Sequence, residues 1–396
     1  MERFRFAYEP SVIRAGRGCV SELADELDRQ GVERALVVCG STVGSTRAVI
    51  DPVTDGLGER LAGVFAGTTT EKRLETAFDA LAAYREHDAD ALVGLGGGSS
   101  LDVAKVTAVL AGTDREPRDI GRELRETGSI SVPADPAPIV AVPTTLTGAD
   151  LSQGAGVTAA PSSGLVEEPA SGGVSAPSLM PRAVVADPDL VATTPKPVLA
   201  ASAMNGFDKG LETLYAATAT PITDATASRG LEVLGGGLQA FADGELDAEN
   251  LAPVVEGLVL VQYGISRPDG GTLSLIHAFG HGLTRSYEVQ QGAAHAVVAP
   301  HVLRYLFEKV DARRDLLAGS LGVGAASDPA SAVVERVSEI RNALGLPTRL
   351  RDVDGPDPAA FETVAEAILA DSIVDNAPRD LDPTADEIEG VLQSAY

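Results

Sequence analysis

Four of the five histidines of this 396-residue chain lie between residues 277 and 301. Two of them, His277 and His281, are four residues apart, a spacing that places both imidazoles on one face of a helix. Neutral imidazole is a common metal ligand, and histidine also suits proton transfer near neutral pH. Because the segment is rich in Ala, Gly and Leu, packing of both rings in a core is an equally open interpretation.

A pair of carboxylates has the same spacing. Asp208 and Glu212 are four residues apart in the segment 200–212, which is expected to be helical, so both would share one face. In so acidic a chain, the pair could simply be exposed to solvent. The apolar residues around it favour an inward orientation instead.

A glycine-rich turn is the strongest local signal. In GLGGGSSLDVAK (94–105) an apolar strand runs into glycines and a helix follows. Glycines that allow close backbone approach, followed by helix amides, form a cradle for phosphate. The candidate cradle residues are Gly96, Gly97, Gly98, Ser99 and Ser100. Asp102 and Lys105 are three residues apart on the same helix, so they could pair or face one ligand. The pattern is neither GxGxxG nor a Walker loop, and a plain tight turn remains the alternative.

Hydroxyl groups follow another buried strand. Thr144, Thr145 and Thr147 lie in VPTTLTGADLS (142–152), directly after an apolar run. In open α/β sheets, ligands bind at the carboxyl ends of the strands. The three threonines are therefore candidates for ligand binding, with a solvated loop as the alternative.

The elements that must position these residues follow from the hydrophobic pattern. Short apolar runs predict parallel strands, and amphipathic segments between them predict helices. Strands are expected at 34–40 and 61–67, a strand that runs into glycines at 89–100, and a strand followed by a polar loop at 138–152. Helices are expected at 19–31, 74–88 and 101–112. Residues 153–178 are rich in Gly, Ser, Ala and Pro and predict a loose hairpin or flap, and 182–191 predicts a strand and turn.

Beyond residue 193 the pattern becomes helical. Long Ala- and Leu-rich segments cover 198–216, 222–241, 249–264, 271–287, 292–308, 311–321, 328–344 and 357–371. We therefore expect two domains, a nucleotide-binding α/β domain with a Rossmann-like parallel sheet at 1–193 and an all-α domain at 194–396.

The composition limits the partners. The formal net charge is -26, and only five of the 31 basic residues are lysine. This composition favours the interpretation that the surface is adapted to high salt, and a merely acidic protein is the alternative. Such charge argues against nucleic acid and anionic membranes as partners.

Cys19 and Cys39 are too few for a disulfide framework. With no signal-like N-terminus and no apolar run of transmembrane length, we expect a cytoplasmic protein.

Taken together, the motifs resemble the iron-containing (group III) alcohol dehydrogenases of the dehydroquinate-synthase-like superfamily. GGGSSLDVAK resembles the family's GGGSxxDxxK signature, and VPTTLTGADLS resembles its PTTxxTGSE loop. MPRAVVADPDLV and IHAFGHGLTRSYEVQQGAAHAVVAPHVLRY resemble its later segments, in the same order. The resemblance implies an active site in the cleft between the two domains. It also implies hydride transfer between NAD(P) and an alcohol, aldehyde or ketone.

The resemblance also implies a metal site, and here the sequence departs from the family. Members bind a divalent metal through one Asp and three His. Asp208 and His277 match two ligands, but Glu212 and Gln291 stand where the other two histidines are expected. His281 matches a non-ligand histidine that lies near the nicotinamide and can relay a proton, with His277 as its possible partner in catalysis.

Two interpretations of the metal site follow. Asp208, Glu212 and His277 could bind Fe, Zn or Mn, with Gln291 or water as a fourth ligand. Alternatively, the metal is lost and histidine protonates the substrate, as maleylacetate reductases of the same superfamily suggest. The length of PTTLTGAD and the presence of His295 resemble those reductases, whereas Asp208 stands where they typically carry Asn.

The cofactor would be bound by the glycine-rich turn. By resemblance, Gly96 to Ser100 hold the pyrophosphate, and Thr144, Thr145 and Asp102 position the nicotinamide side. Many members carry Asp after the second strand, which binds the ribose and repels a 2′-phosphate. Here Gly40, Ser41 and Thr42 occupy that region, which favours NADP over NAD.

The sequence leaves three functions open. The first is an NAD(P)-dependent alcohol dehydrogenase acting on a small alcohol or aldehyde. The others are a keto-acid reductase like the maleylacetate reductases and a non-catalytic nucleotide-binding protein. A homodimer or higher homo-oligomer is expected.

Overall fold

The structure is a computed structural model, and it describes residues 4–7, 11–244, 246–267, 270–285 and 287–396. Contacts divide the described residues into two compact units, 11–194 and 195–396, with residues 4–7 grouped in the second. The sequence had placed residues 4–7 with the nucleotide-binding domain and the boundary between 193 and 194. The division lies instead between Thr194 and Pro195.

The first unit is built on a parallel sheet. Its strands run in the order β1-β8-β5-β4-β2-β3, and each neighbouring pair is parallel. The strands of this unit are β1 (Val12–Ala15), β2 (Ala35–Gly40), β3 (Leu61–Thr68), β4 (Ala91–Gly96), β5 (Ile139–Pro143), β6 (Gly154–Ala159), β7 (Ala170–Ser175) and β8 (Ala183–Ala186). The predicted hairpin is present, because β6 and β7 pair with each other antiparallel.

Helices cover both faces of this sheet. They are α1 (Leu23–Arg29), α2 (Ser41–Ser45), α3 (Arg47–Leu57), α4 (Leu74–Glu86), α5 (Gly98–Ala111), α6 (Pro117–Thr127) and α7 (Pro188–Val191). Alternate residues of β2 enter different cores: Leu36 and Val38 pack with α4 and α5, whereas Val37 packs with α1 and α3. Burial on both faces explains the continuous apolar runs, since each buried Leu or Val contributes roughly 1.5–3 kcal/mol.

The strand order creates a switch point beside β2. From β2 the chain proceeds to β3 on one side, while β4 lies on the other side and leads on to β5. Connections therefore leave the carboxyl ends of β2 and β4 in opposite directions, and such a crevice is where open α/β sheets bind ligands. The segments after Gly40 and Gly96, both predicted to bind cofactor, begin at these two strand ends.

The second unit is mostly helical. Its helices are α8 (Lys196–Tyr215), α9 (Pro221–Asp243), α10 (Ala248–Gln262), α11 (Leu275–Thr284), α12 (Gln291–Lys309), α13 (Arg314–Ser320), α14 (Pro329–Ala343), α15 (Phe361–Leu369) and α16 (Ala385–Ala395). Two short strands, β9 (Ser266–Arg267) and β10 (Gly270–Gly271), pair antiparallel, so the domain is not strictly all-α. No helix within the described parts of the chain is long and apolar enough to cross a membrane.

The fold class is as predicted, but several elements were not anticipated. The expected helix at 19–31 is a 3-10 turn, Cys19–Glu22, followed by the shorter α1. β1, α2, α3, α6 and α16 were missed. Helix α6 is mainly charged and buries only Ile120, Gly121 and Leu124, so its apolar stripe is too narrow to give a clear helical period.

Helices α8 and α12 approach each other closely at one glycine. A Cβ at Gly292, in the first turn of α12, would lie 2.0 Å from the carbonyl oxygen of Ala201 in α8. This contact is with backbone, so a side chain cannot be accommodated by a rotamer change. It fixes the spacing between α8, which carries the buried Asp208 and Glu212, and α12, which carries the buried His295.

We expect Gly292→Ala to lower the free energy of unfolding by about 2–3 kcal/mol, because overpacking forces the helix backbones apart. Gly236→Ala is the matched control: this glycine is exposed in α9 and a Cβ there meets nothing within 4 Å. The control should gain up to about 1 kcal/mol from helix propensity. Urea unfolding of both variants measures the two effects, and equal shifts would contradict the packing argument.

Candidate active site

The glycine-rich turn has the geometry of a phosphate cradle. Strand β4 ends at Gly96, whose φ of 131° is strained for other residues, and α5 begins at Gly98, with Ser99 and Ser100 in its first turn. A Cβ on Gly97 would lie 3.1 Å from Cγ2 of Thr145. Side chains here would fill the cradle, whereas glycines leave the first-turn amides of α5 accessible to an anion.

The threonine loop lies against this turn. The Thr144 amide donates to the Gly96 carbonyl oxygen at 3.0 Å, and the Oγ1 atoms of Thr145 and Thr147 are 3.5 Å apart. A Cβ on Gly98 would lie 3.5 Å from Oγ1 of Thr147. The structure therefore brings the two predicted cofactor-binding segments together, and the residues present fit a dinucleotide phosphate.

The end of β2 is tied to the same region. Gly40 pairs with Thr68 of β3, and Oγ1 of Thr68 is 2.7 Å from Oγ of Ser100 in α5. Ser41 and Thr42 open α2 with exposed side chains. The exposed groups after β2 are thus hydroxyls and not carboxylates.

Asp102 and Lys105 do not pair with each other. Oδ2 of Asp102 lies 2.6 Å from Nζ of Lys72 and accepts a bond from the Gly156 amide at 3.3 Å. Lys72 lies between β3 and α4, thirty positions before its partner, so no local pattern predicted it. Of the two alternatives, pairing is not what the structure shows, and the possibility that both residues face one ligand stays a prediction.

Lys105 holds a loop in place. Its side chain is almost fully buried in α5, and Nζ donates to three backbone carbonyl oxygens. These belong to Ala149 at 2.8 Å, Ser152 at 2.6 Å and Gly154 at 3.2 Å. The three ammonium protons match the three carbonyls, so Lys105 shapes the loop that leads into the β6–β7 hairpin.

In the helical unit, α8 carries both predicted carboxylates inward. Asp208 and Glu212 are completely buried. Neither oxygen of Asp208 accepts a hydrogen bond from a described residue, and Oδ2 lies 3.4 Å from Nδ1 of His295 on α12. Burial, together with the nearby charge of Glu212, raises the pKa of Asp208 well above its usual value.

Glu212 is bound to the start of α11. Its Oε1 accepts the His277 amide at 2.9 Å, and its Oε2 lies 2.6 Å from Nδ1 of His277. The amides of Ser274 and Ile276 also stabilise the carboxylate, as expected at a helix N-terminus. Burial outweighs these bonds and raises the pKa of Glu212 to about 7.

Two imidazoles complete the buried cluster. The rings of His277 and His295 are 4.4 Å apart and nearly perpendicular, and Nε2 of His277 is 3.3 Å from Oδ1 of Asn205. Burial lowers the pKa of both histidines well below the usual value, and the charge of Lys209 adds to the effect. A Cβ on Gly280 would lie only 2.2 Å from Nε2 of His295, so this glycine makes room for the ring.

The residues present do not fit the family's metal. Both oxygens of Glu212 face the amides and ring of His277. Gln291, at the fourth ligand position, is the half-buried first residue of α12, where the preceding Gln290 caps the helix. Throughout the residues that the structure describes, no three His, Cys, Asp or Glu side chains are grouped so that they could hold a metal ion. In this arrangement Asp208, Glu212 and His277 are not grouped as a set of metal ligands, and their role as ligands stays a prediction.

His281 lies outside this buried cluster. Its ring is 6.5 Å from that of His277, and about 33% of its side chain is exposed. Nδ1 lies 2.9 Å from Oδ2 of Asp371, which also accepts a bond from Arg285 at 2.8 Å. Asp371 and Asn205 were missed in the sequence. Asp371 lies ninety residues beyond His281, so spacing gave no indication of the pair.

The pKa of Glu212 predicts a pH-dependent stability. Its folded-state pKa of about 7 exceeds the ordinary 4.5, so between these values the folded state binds more protons than the unfolded state. The wild-type protein should therefore lose stability as pH rises from 4.5 to about 7, by about 3 kcal/mol.

We expect Glu212→Gln to remove this dependence, so that the variant gains stability relative to wild type across that interval and keeps a constant difference above it. Urea unfolding between pH 4.5 and 8 measures this, with exposed Glu256→Gln on α10 controlling for the same change in net charge. Parallel stability curves for wild type and Glu212→Gln would contradict the assignment.

Comparison with known proteins agrees with this geometry. Residues 10–188 match the iron-containing alcohol dehydrogenase family, and residues 199–396 match the C-terminal domain of the Fe-containing alcohol dehydrogenase family. Lactaldehyde reductase of Escherichia coli (strain K12) is 28% identical, over 96% of this chain and 97% of that protein. Maleylacetate reductase 1 of Cupriavidus pinatubonensis is 26% identical, over 100% and 98%.

A solved structure agrees in fold. The crystal structure of 1,3-propanediol oxidoreductase superposes with a TM-score of 0.88 at 22% identity, covering 100% of each chain. Both halves of the sequence match models of a single family, and the fold matches a solved oxidoreductase. The chain therefore belongs to the iron-containing alcohol dehydrogenase family of oxidoreductases.

Proposed function

We propose that this chain is an NAD(P)-dependent oxidoreductase that interconverts an alcohol and an aldehyde or ketone without a bound metal ion. The observation that carries the proposal is the engagement of Glu212 by the amide and ring of His277, at 2.9 and 2.6 Å. The oxygens of Glu212 are therefore engaged by the protein itself and not directed to a metal ion. Proton transfer by histidine then takes the place of metal polarisation of the carbonyl.

The α/β unit would bind the cofactor. Gly96 to Ser100 offer the phosphate cradle, and the Thr144–Thr147 loop packed against it would orient the nicotinamide half. When bound, the reduced cofactor supplies a hydride for the carbonyl carbon of the substrate. The chain's own contribution here is orientation, which lowers the entropic cost of bringing the reactants together.

His281 would supply the proton that the carbonyl oxygen takes up in reduction. It is the partly exposed imidazole of α11, whereas His277 and His295 are buried and held neutral by burial. A buried neutral ring is a poor proton donor to an incoming molecule, because it cannot exchange with solvent. Of the two predicted catalytic histidines, His281 is therefore assigned the transfer and His277 a supporting position.

A keto acid is the second candidate substrate class. The relevant observations are the short PTTLTGAD loop and the similarity to maleylacetate reductase 1 along the whole chain. Turnover with unsaturated keto acids, compared with simple aldehydes and ketones, distinguishes the two. Binding of NADPH without turnover of any of these, in multimolar salt suited to so acidic a chain, would reject enzymatic function altogether.

Metal independence can be tested directly. Protein purified without added metal should contain substoichiometric Fe, Zn and Mn by elemental analysis and keep its turnover after chelation. The double variant Glu212→His with Gln291→His restores the family's residues at both positions and should gain bound metal. Stoichiometric metal in the wild type, together with loss of turnover on chelation, would contradict the proposal.

The preference for NADP depends on the residues after β2. Gly40 has an extended backbone that any residue can adopt, and a Cβ there would lie 3.3 Å from the Thr68 carbonyl oxygen. We expect Gly40→Asp to lower kcat/KM for NADPH by about 10-fold or more relative to NADH, through repulsion of the 2′-phosphate.

Gly40→Ala is the matched control for this variant, because it adds the Cβ without the charge. It should leave the ratio of kcat/KM for the two cofactors close to that of the wild type. An unchanged ratio in Gly40→Asp would place the ribose phosphate elsewhere.

A further inference from the structure

We propose that Asp371 is a positioning residue for His281: it fixes the imidazole with its proton on Nδ1, which leaves Nε2 as the atom that exchanges protons with the substrate. This inference rests on the proposed role of His281 in proton transfer. It concerns a residue that lies ninety positions beyond His281 and outside the sequence motifs quoted above.

The geometry of the pair favours this role. Oδ2 of Asp371 lies 2.9 Å from Nδ1 of His281. The carboxyl is nearly buried, at 7% exposure, whereas the imidazole is 33% exposed. The contact is therefore sheltered on the carboxylate side and open on the ring side, so that water competes little for Nδ1 while the rest of the ring can reach an incoming molecule.

Asp371 is itself held in place by further donors. Oδ1 accepts the amide of Ile373 at 3.2 Å, at the start of the 3-10 segment Ser372–Asn376. Arg285 donates to Oδ2 at 2.8 Å. A carboxylate bound from both sides cannot rotate freely, and its orientation is imposed on the imidazole.

The charge of Asp371 decides the tautomer. Burial alone would raise the pKa of this carboxyl, but the bond and charge of His281, the Ile373 amide and the charge of Arg285 outweigh it and lower the pKa. An ionised carboxylate only accepts hydrogen bonds, so Nδ1 must donate. Nε2 is then the ring nitrogen that gains and loses the transferred proton.

Helix α11 repeats this arrangement one turn earlier with a different outcome. Nδ1 of His277 also faces a carboxylate, that of Glu212. However, both members of that pair are buried, with exposures of 2% and 0%. Of the two carboxylate–imidazole pairs on this helix, the one formed by His281 and Asp371 has a ring that solvent and substrate can reach.

The first measurement reads the tautomer of His281 in the wild-type protein, with one variant used only to assign its signals. With five histidines in the chain, 15N labelling of histidine gives a small set of ring signals, and His281→Gln identifies the signals of His281 by their loss. We expect neutral His281 to carry its proton on Nδ1. A proton on Nε2 in the wild-type protein would overturn the proposal.

The second measurement uses Asp371→Asn, which keeps an oxygen for the Ile373 amide but can present an NH2 group to Nδ1. We expect His281 to change tautomer and kcat to fall by about 10- to 100-fold, with the Kd of NADPH unchanged. Asp224→Asn is the matched control, because Asp224 accepts from Arg313 in the same unit but touches no histidine. It should keep the wild-type kcat.

The outcomes separate this inference from the function on which it rests. Full activity in His281→Gln would reject the proton-transfer role and the inference with it. An inactive His281→Gln beside a fully active Asp371→Asn would overturn the positioning role alone. A changed tautomer of His281 in Asp371→Asn with an unchanged kcat would also overturn the positioning role alone.

Discussion

The helical unit is organised around the burial of four ionisable side chains away from water. Asp208, Glu212, His277 and His295 are each at most 2% exposed. An isolated charge would be very costly here, so the four groups must be nearly neutral or matched in charge. The directions of their pKa values agree: burial raises those of the carboxyls and lowers those of the imidazoles. Gly280 leaves room for the ring of His295, and Gly292 allows α12 to approach α8 beside this cluster.

The exchange of one ligand residue changes what the site can be. In the family's pattern an imidazole faces the metal from the position of Glu212. The Glu212 carboxylate at this position accepts hydrogen bonds from the amides at the start of α11, and it also contacts the ring of His277. Helix capping and metal binding would compete for the same two oxygens of Glu212. In this chain those oxygens contact the start of α11.

Local patterns predicted a large part of the fold and several of the residues that the structure brings together. The parallel sheet, the glycine turn, the threonine loop and the inward orientation of Asp208 and Glu212 all depend on contiguous residues, so periodicity and turn chemistry reveal them. The partners of these residues were different. Lys72 meets Asp102, and Asp371 meets His281, across long separations that only tertiary packing brings together. The three carbonyl contacts of Lys105 likewise leave no trace in sequence spacing. The direction of the Glu212 oxygens, on which the choice between the two interpretations of the metal site depends, is likewise not visible in the sequence.

The bonds of Lys105 have a consequence for the kinetics of cofactor binding. A loop that connects a strand to a hairpin would ordinarily fluctuate, and a ligand would have to arrest it at the expense of binding free energy. Three carbonyls between residues 149 and 154 are already tethered to one ammonium group in the protein's core. The loop is thus preorganised before the cofactor arrives. If the cofactor binds beside this loop, as proposed, its association would resemble the docking of a rigid body, and its release would not wait for the loop to reorder.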